Sequence, residues 1–293
     1  MKGGKLLAEG GYGCIFWPEI NKKGEEIITE INKYASKIQR KDESAKNEIL
    51  IGNIVKEIDG FYNHFSPVIS NENINISGIK SNILNKCSII KRKKIKKFSL
   101  MKLIYIEGKS FNTWLINEEN NTLIFHQLIQ SYIHLLKGLN ILNENNIVHF
   151  DLKGNNILFN ETMNVPILID FGLSLHMKDL NKSNEELKEM FFGYHPDYYI
   201  WPIEVHYLCF ILHNERNPDK EEIKDMIETY IKENRSLYKN FSPTFLKNYY
   251  KLCLNQIISY TKKTIRESIE IILKFNKTWD NYALSLLYLK FIY

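Results

Sequence analysis

The stretch "IVHFDLKGNNILFN" (residues 147–160) sets His149, Asp151, Lys153, Asn155 and Asn156 between two apolar runs. An aspartate, a lysine and an asparagine at offsets of zero, two and five have complementary chemistry. Asp151 can accept a proton from an attacking hydroxyl, and Lys153 can neutralise phosphoryl oxygens. Asn156 can offer a neutral oxygen to a hard cation such as Mg²⁺. A polar turn with side chains bonded to their own backbone would account for "GNN" alone. A second acid, Asp170, ends the apolar run of "LIDFGLS" just before Gly172, where a carboxylate can bridge a metal to phosphate oxygens. The two acids lie 19 positions apart (170 − 151), joined by a hairpin-like segment, and that spacing lets both face one site.

Nearer the N-terminus, "LLAEGGYGCIF" places Gly10, Gly11 and Gly13 between two apolar runs. Without a Cβ, such positions let backbone N–H groups approach an anion. Gly-rich hairpin turns are common, however, so the glycines are weak evidence taken singly. Lys37 in "YASKI" shares a strand face with Ala35, two residues earlier. A small residue beside a lysine leaves room for a ring while the ammonium reaches a phosphate. Glu48, on the next amphipathic segment, can pair with Lys37. Glu43 and Glu57 compete for that role, and a surface ion pair is the plain alternative for all three.

These residues need elements to hold them. "KLLAEGGYGCIFWP" reads as a hairpin, and "KYASKIQRK" as a third strand. "DESAKNEILIGNIVKEIDGFY" has helical spacing, with Asp42 or Ser44 available as a cap. "CSIIKRKKIKKFSLMKLIYIEG" reads as two strands flanking a basic turn. A long amphipathic helix then ends in the asparagines of "NILNENN", and the pattern from Pro202 onward is helical, with breaks near "NERNPDK" and "NFSPTF". The chain therefore passes from a small β-rich lobe to a larger helical one, an α+β organisation, joined near residues 104–111.

The 293 residues suffice for one large domain or a two-lobed unit, and the net charge of +5 permits an anionic ligand without demanding one. The basic run "KRKKIKK" (residues 91–97) reads as a solvated hairpin; no interleaved aromatic platform supports a nucleic-acid surface there. The four cysteines, Cys14, Cys87, Cys209 and Cys253, lack metal-ligand spacing and read as reduced thiols in a cytoplasm-like compartment. The N-terminus lacks the apolar core of a secretory signal, and "YALSLLYLKFIY" is too short to span a bilayer, so it reads as a buried helix.

In order, "AEGGYG", "ASK", "NEI", "HFDLKGNN", "DFG" and "WPIE" resemble the eukaryotic-type protein kinase family, whose Gly-rich loop, strand lysine, helix glutamate, catalytic loop, D-F-G and A-P-E follow this sequence. The likeness covers residues 6–204. It implies a bilobal kinase fold with an N-lobe over 1–105 and a C-lobe over 106–293. It further implies a Ser/Thr protein kinase using ATP and Mg²⁺ on protein substrates. Asp151 would be the catalytic base and Lys153 its γ-phosphate partner, with Asn156 and Asp170 as metal ligands. Lys37 would contact the α/β-phosphates and pair with Glu48. Leu7, Ala8, Glu9, Gly10, Gly11, Tyr12, Gly13, Ile15, Ala35 and Leu158 would surround the nucleotide. Leu103 would be the gatekeeper, and Ile104 to Ile106 the hinge. His149 and Phe171 would belong to an internal apolar spine.

The departures carry information. The first glycine of the loop is Ala8, the proline after the catalytic lysine is Gly154, and the alanine of A-P-E is Trp201. Phe150 stands where the family has an arginine that pairs with an activation-loop phosphate, so switching by that phosphate is in doubt. "TWDNYALSLLYLKF" resembles the helix whose buried aspartate anchors the catalytic loop, here Asp280. It comes 76 positions after Glu204 (280 − 204), which makes residues 205–277 a helical insertion and the chain a fragment or a minimal lobe. These features are most like kinases of large DNA viruses. The alternative reading is a pseudokinase, an ATP-binding scaffold. A small-molecule kinase is disfavoured by Lys153 together with Pro202 and Glu204.

Overall fold

The computed structural model describes residues 4–10, 13–29, 32–75, 87–91, 97–116, 121–191 and 193–292. The chain divides into two compact units, Met1–Gln127 with Asn155–Ser174, and Leu128–Gly154 with Leu175–Tyr293.

The first unit begins with β1 (Lys5–Glu9), β2 (Gly13–Trp17) and β3 (Tyr34–Arg40). Helix α1 (Glu43–Lys56) follows, its first turn capped by the Asp42 carboxylate accepting from the Ala45 N–H at 3.0 Å. Next come β4 (Phe65–Ser66), β5 (Val68–Asn75), the short helix α2 (Ser88–Lys91) and β6 (Lys97–Ile104). Strands β1, β2, β3, β6 and β5 form one sheet in that order, antiparallel throughout. Facing residues of such a ladder project to the same side. The pairings Ala8↔Ile15, Ile15↔Lys37, Lys37↔Met101 and Ala35↔Leu103 therefore put these six side chains on one face. The opposite face packs Cys14, Phe16, Ile38, Phe98 and Leu100 against Cys87, Ile89 and Ile90.

Two expectations change here. The segment after Cys87 is a helical turn rather than a strand: the N–H and hydroxyl of Ser88 both donate to Glu9 Oε1, the N–H at 2.8 Å, which satisfies its first turn. Cys14 and Cys87 are not reduced thiols but a disulfide across 73 positions of sequence, brought together on the buried sheet face. Cys209 and Cys253 are free and buried. The run 91–97 lies, apart from its two ends, outside the described residues.

The first unit also holds β7 (Gly108–Ser110), α3 (Phe111–Ile116), β9 (Ile157–Asn160) and β10 (Val165–Ile169). A second sheet orders these strands β4-β10-β9-β7 and sets Asp170 immediately past the end of β10.

The second unit takes most of helix α4 (Asn121–Glu144) and the two-residue pair of β8 (Ile147–Val148) with β11 (Leu175–His176). Helices α5 (Asn184–Met190), α6 (Ile203–Asn214), α7 (Lys220–Glu233) and α8 (Arg235–Asn240) follow. Then come α9 (Pro243–Thr261), α10 (Ile265–Leu273) and α11 (Trp279–Ile292). Ser183, Asp219 and Thr264 start their helices with capping boxes, and Pro243 starts α9 where its missing N–H costs nothing. Helix α6 is apolar nearly all round and is the buried centre of this unit, as such a pattern requires. Helix α11 is buried along Ala283, Leu284, Leu286 and Leu287, in line with the expectation for that run. Among the described residues, no helix is long and apolar enough to cross a membrane.

Candidate active site

In the first unit, β3 and α1 aim Lys37 and Glu48 at each other. Lys37 Nζ lies 2.8 Å from both carboxylate oxygens of Glu48 and 3.2 Å from Asp170 Oδ1. Only 7% of Lys37 is exposed and 2% of Glu48. Burial alone would lower the lysine's pKa, but the two carboxylates outweigh it and push it up to about 12. The ammonium is therefore a fixed positive charge. Glu43 and Glu57, the competing partners, are not in this contact.

Asp170 has a left-handed backbone (φ 65°), a conformation few residue types tolerate, and that turn sets up the next three residues. Phe171 is buried edge-on against Phe65. A Cβ on Gly172 would meet Ser44 Oγ at 2.7 Å, so a larger residue would force the Ser44 hydroxyl of α1 to swing away. Asn47 Nδ2 then donates to the carbonyls of Gly172 (3.0 Å) and Ser174 (2.8 Å). Helix α1 thus holds this segment from two sides. Asn47 gives no sign of this role in sequence, since its partners are about 125 positions away.

The sheet face around Lys37 gathers Ala8, Ile15, Ala35 and Leu103, with Ala35 sharing the lysine's face as strand alternation predicts. Ala35 is buried beside the lysine, and Ile15 and Leu103 are half-buried. The face does not include Glu9. That residue is in register with Cys14, on the disulfide side, and is engaged with Ser88. Leu7 is exposed at the β1 irregularity. Leu158 sits on β9, opposite Ser110 and Ile167 in the second sheet. The Ile104 carbonyl accepts from Ser66 Oγ at 3.1 Å, and Ile106 is half-buried beyond the strand. Gly10 closes the hairpin by donating to the Gly13 carbonyl at 2.9 Å. Gly13 has its own steric reason: a Cβ there would lie 2.6 Å from the Ile38 carbonyl oxygen. Gly11 and Tyr12 lie outside the described residues. Asn156, buried at the end of the short turn over residues 154–156, completes the first unit's set. Its amide oxygen and the part-exposed Asp170 carboxylate are all-oxygen donors of the kind a hard divalent cation takes.

In the second unit, Asp151 is 6% exposed. Lys153 Nζ stands 2.8 Å from its Oδ1 and 3.0 Å from its Oδ2. The Tyr198 hydroxyl also donates to Asp151 Oδ1, and Lys153 Nζ is 3.4 Å from that hydroxyl. Sequence reading missed Tyr198; its place in "DYYIWPIE", three residues before Trp201, was the available signal.

The loop carrying Asp151 is held from behind. The buried Asp280 carboxylate accepts the backbone N–H of His149 at 2.6 Å and of Phe150 at 2.9 Å. Burial raises its pKa, and these bonds pull against that shift. Phe150, in the left-handed region (φ 64°) and 2% exposed, stacks on Trp201 at 4.5 Å and meets Phe191 and Trp279. Trp201 Nε1 donates to the Phe150 carbonyl at 2.7 Å. The phenylalanine is thus the hub of an aromatic cage, to which Trp201 contributes both its ring and its indole N–H.

Residues 4–195 match the model of the protein kinase domain. A segment of 46 residues is 46% identical to mitogen-activated protein kinase kinase kinase 8 of Rattus norvegicus, covering 16% of this chain and 9% of that protein. Another of 51 residues is 43% identical to mitogen-activated protein kinase kinase kinase 15 of Mus musculus, covering 17% and 4%. The matched segments thus span less than a tenth of these relatives' lengths. The kinase-domain match, by contrast, takes in Lys37, Glu48, Asp151, Asn156 and Asp170 and extends over well more than half of the sequence, and on that ground the chain belongs to the protein kinase domain family.

Proposed function

We propose that this chain transfers the γ-phosphoryl group of ATP to serine and threonine hydroxyls of protein substrates, with Mg²⁺ as the accompanying cation. The observation that carries the reading is the ion triad of Lys37 with Glu48 and Asp170. A buried ammonium held by two carboxylates is pre-positioned, and phosphoryl transfer depends mainly on positioning and charge neutralisation. In this reading Lys37 binds the α/β-phosphates, and Ala8, Ile15, Ala35 and Leu103 offer an apolar surface to the base. Asp151 takes the proton of the acceptor hydroxyl, and Lys153 steadies the transferred group. Asn156 and Asp170 hold Mg²⁺, which when bound neutralises phosphate charge. The preference for serine and threonine rests on Lys153, two positions after Asp151. The lobes at 1–105 and 106–293, the insertion at 205–277 and the likeness to kinases of large DNA viruses belong to the same reading and rest on the sequence motifs; the cytoplasmic setting loses the support of reduced thiols, because Cys14 and Cys87 form a disulfide.

The test is transfer of labelled phosphate from Mg²⁺-ATP to casein, followed by phosphoamino-acid analysis. Phosphoserine and phosphothreonine are expected, with loss of label in Asp151→Asn. Undiminished label in that variant, or phosphotyrosine alone, would sink the assignment. One observation favours the pseudokinase reading: the Tyr198 hydroxyl already engages Asp151. ATP-induced thermal stabilisation without any turnover, in both the wild type and Tyr198→Phe, would establish that alternative.

A further inference from the structure

The second unit contains a cavity of about 370 Å³ that the phosphoryl-transfer reading does not use. Its size is within the range of small-molecule sites, which start at roughly 300 Å³. Glu204, Tyr230, Tyr249, Gln256, Thr278 and Tyr282 form its polar wall, and among the described residues no lysine, arginine or histidine lines it. Glu204 is in the first turn of α6, where the helix dipole favours a carboxylate. Its backbone N–H also bonds to that carboxylate, and burial nonetheless raises its pKa. Among the described residues, no other side chain makes a hydrogen bond or an ion pair with it. The tyrosine hydroxyls are engaged with each other: Tyr230 Oη lies 3.2 Å from Tyr249 Oη and also bonds Tyr282 Oη. Tyr282 Oη also accepts from Asn234 Nδ2 at 3.3 Å, and the phenol rings present π faces.

A half-buried acid without a counter-charge, walled by phenol rings and acceptor oxygens, is complementary to an organic cation. One carboxylate and neutral phenols are too few hard donors for a divalent metal. An ammonium is a strongly hydrated point charge. A guanidinium is planar and weakly hydrated, matches a carboxylate two-pronged and stacks on aromatic rings. We infer that this cavity binds one guanidinium group, carried by an alkylguanidine or by an arginine side chain, with Glu204 as its carboxylate partner. The inference is independent of whether the chain turns over ATP.

The test uses the full chain with ethylguanidinium, Nα-acetyl-arginine amide and its neutral isostere Nα-acetyl-citrulline amide, read by calorimetry and thermal shift. The arginine probe is expected to bind in the millimolar range or tighter, and the citrulline probe at least tenfold more weakly. Glu204→Gln should weaken the arginine probe by the same factor. Equal binding of ethylguanidinium identifies the free small cation as sufficient; tighter binding of the arginine probe identifies the side chain. If Glu204→Gln does not fold, Leu252→Trp at the exposed rim of the cavity should obstruct entry with the same loss. Absence of binding by both cations overturns the inference. So does equal binding of arginine and citrulline probes, or unchanged binding in the folded Glu204→Gln or Leu252→Trp variant.

Discussion

The two units each hold one aspartate of the proposed site, and they hold it by different physics. In the first unit, Asp170 sits among charged and amide groups: Lys37 at 3.2 Å from it, Glu48 beyond that lysine, and Asn47 on the carbonyls that follow. In the second, the Asp151 loop is fixed chiefly by packing, with Phe150 enclosed by Trp201, Phe191 and Trp279, and by two backbone N–H groups on Asp280. A charge-held site can shift with its ionic partners. A packing-held site has one arrangement until its core gives way. Position 150, where the resemblance would lead one to expect a charged arginine beside Asp151, is here part of a core.

The strongest way to break the comparison is to neutralise one acid in each unit. Asp151→Asn should lower phosphoryl transfer by about 10²–10⁴-fold while Mg²⁺-ATP still raises the melting temperature. Asp170→Asn should lose both the transfer and the metal-dependent part of that shift. If the two variants behave alike, the division of roles is wrong. Next in size is packing. Phe150→Ala should cost about 3–5 kcal/mol in urea unfolding, as truncation of a buried aromatic does. Asp280→Ala, which leaves two buried N–H groups unpaired, should cost about 2–6 kcal/mol. A loss under about 1 kcal/mol for both would mean that the cage does not hold the loop.

Much of the first unit's site was readable because its letters are local. A strand lysine, a helix glutamate and "DFG" each declare a role within a few residues, and strand alternation put Ala35 beside Lys37. The second unit was readable at "HFDLKGNN" and, through the resemblance, at the anchoring Asp280, but not in the packing between them. The cage around Phe150 draws on residues 191, 201 and 279, and Tyr198 reaches Asp151 across 47 positions. No periodicity encodes such contacts. The same holds for Cys14 and Cys87, and for the helical turn at Ser88, whose cap comes from Glu9 on another strand.

Two smaller effects sharpen the contrast. Burial lowers His206, in the second unit, to about 3. A depressed histidine stabilises the fold above its unfolded value near 6.5, and that contribution drains away as pH falls from there towards 3. The slope is about 1.4 kcal/mol per pH unit, to be read from acid titrations of unfolding and absent in His206→Phe. Lys37, raised to about 12, has the opposite sense: its contribution is complete below 10.5 and is lost as pH climbs through 12. His206 should therefore make the second unit acid-sensitive, while in alkali both units should weaken, the first through Lys37 and the second through buried phenols such as Tyr230 and Tyr282, as unit-specific hydrogen exchange would report. Smallest is Tyr198→Phe. Freeing Asp151 of that hydroxyl should raise kcat/KM on a protein acceptor a few-fold; a fall would instead make Tyr198 a positioning residue for the loop.

The Cys14–Cys87 bond also gives the chain a covalent ring that encloses β3 and α1, hence both Lys37 and Glu48. Pulled by its ends in a force experiment, the oxidised protein keeps those 73 positions of contour out of reach, roughly 250 Å that only a reductant releases. A single protease nick anywhere inside the ring leaves one band on a non-reducing gel and two on a reducing one.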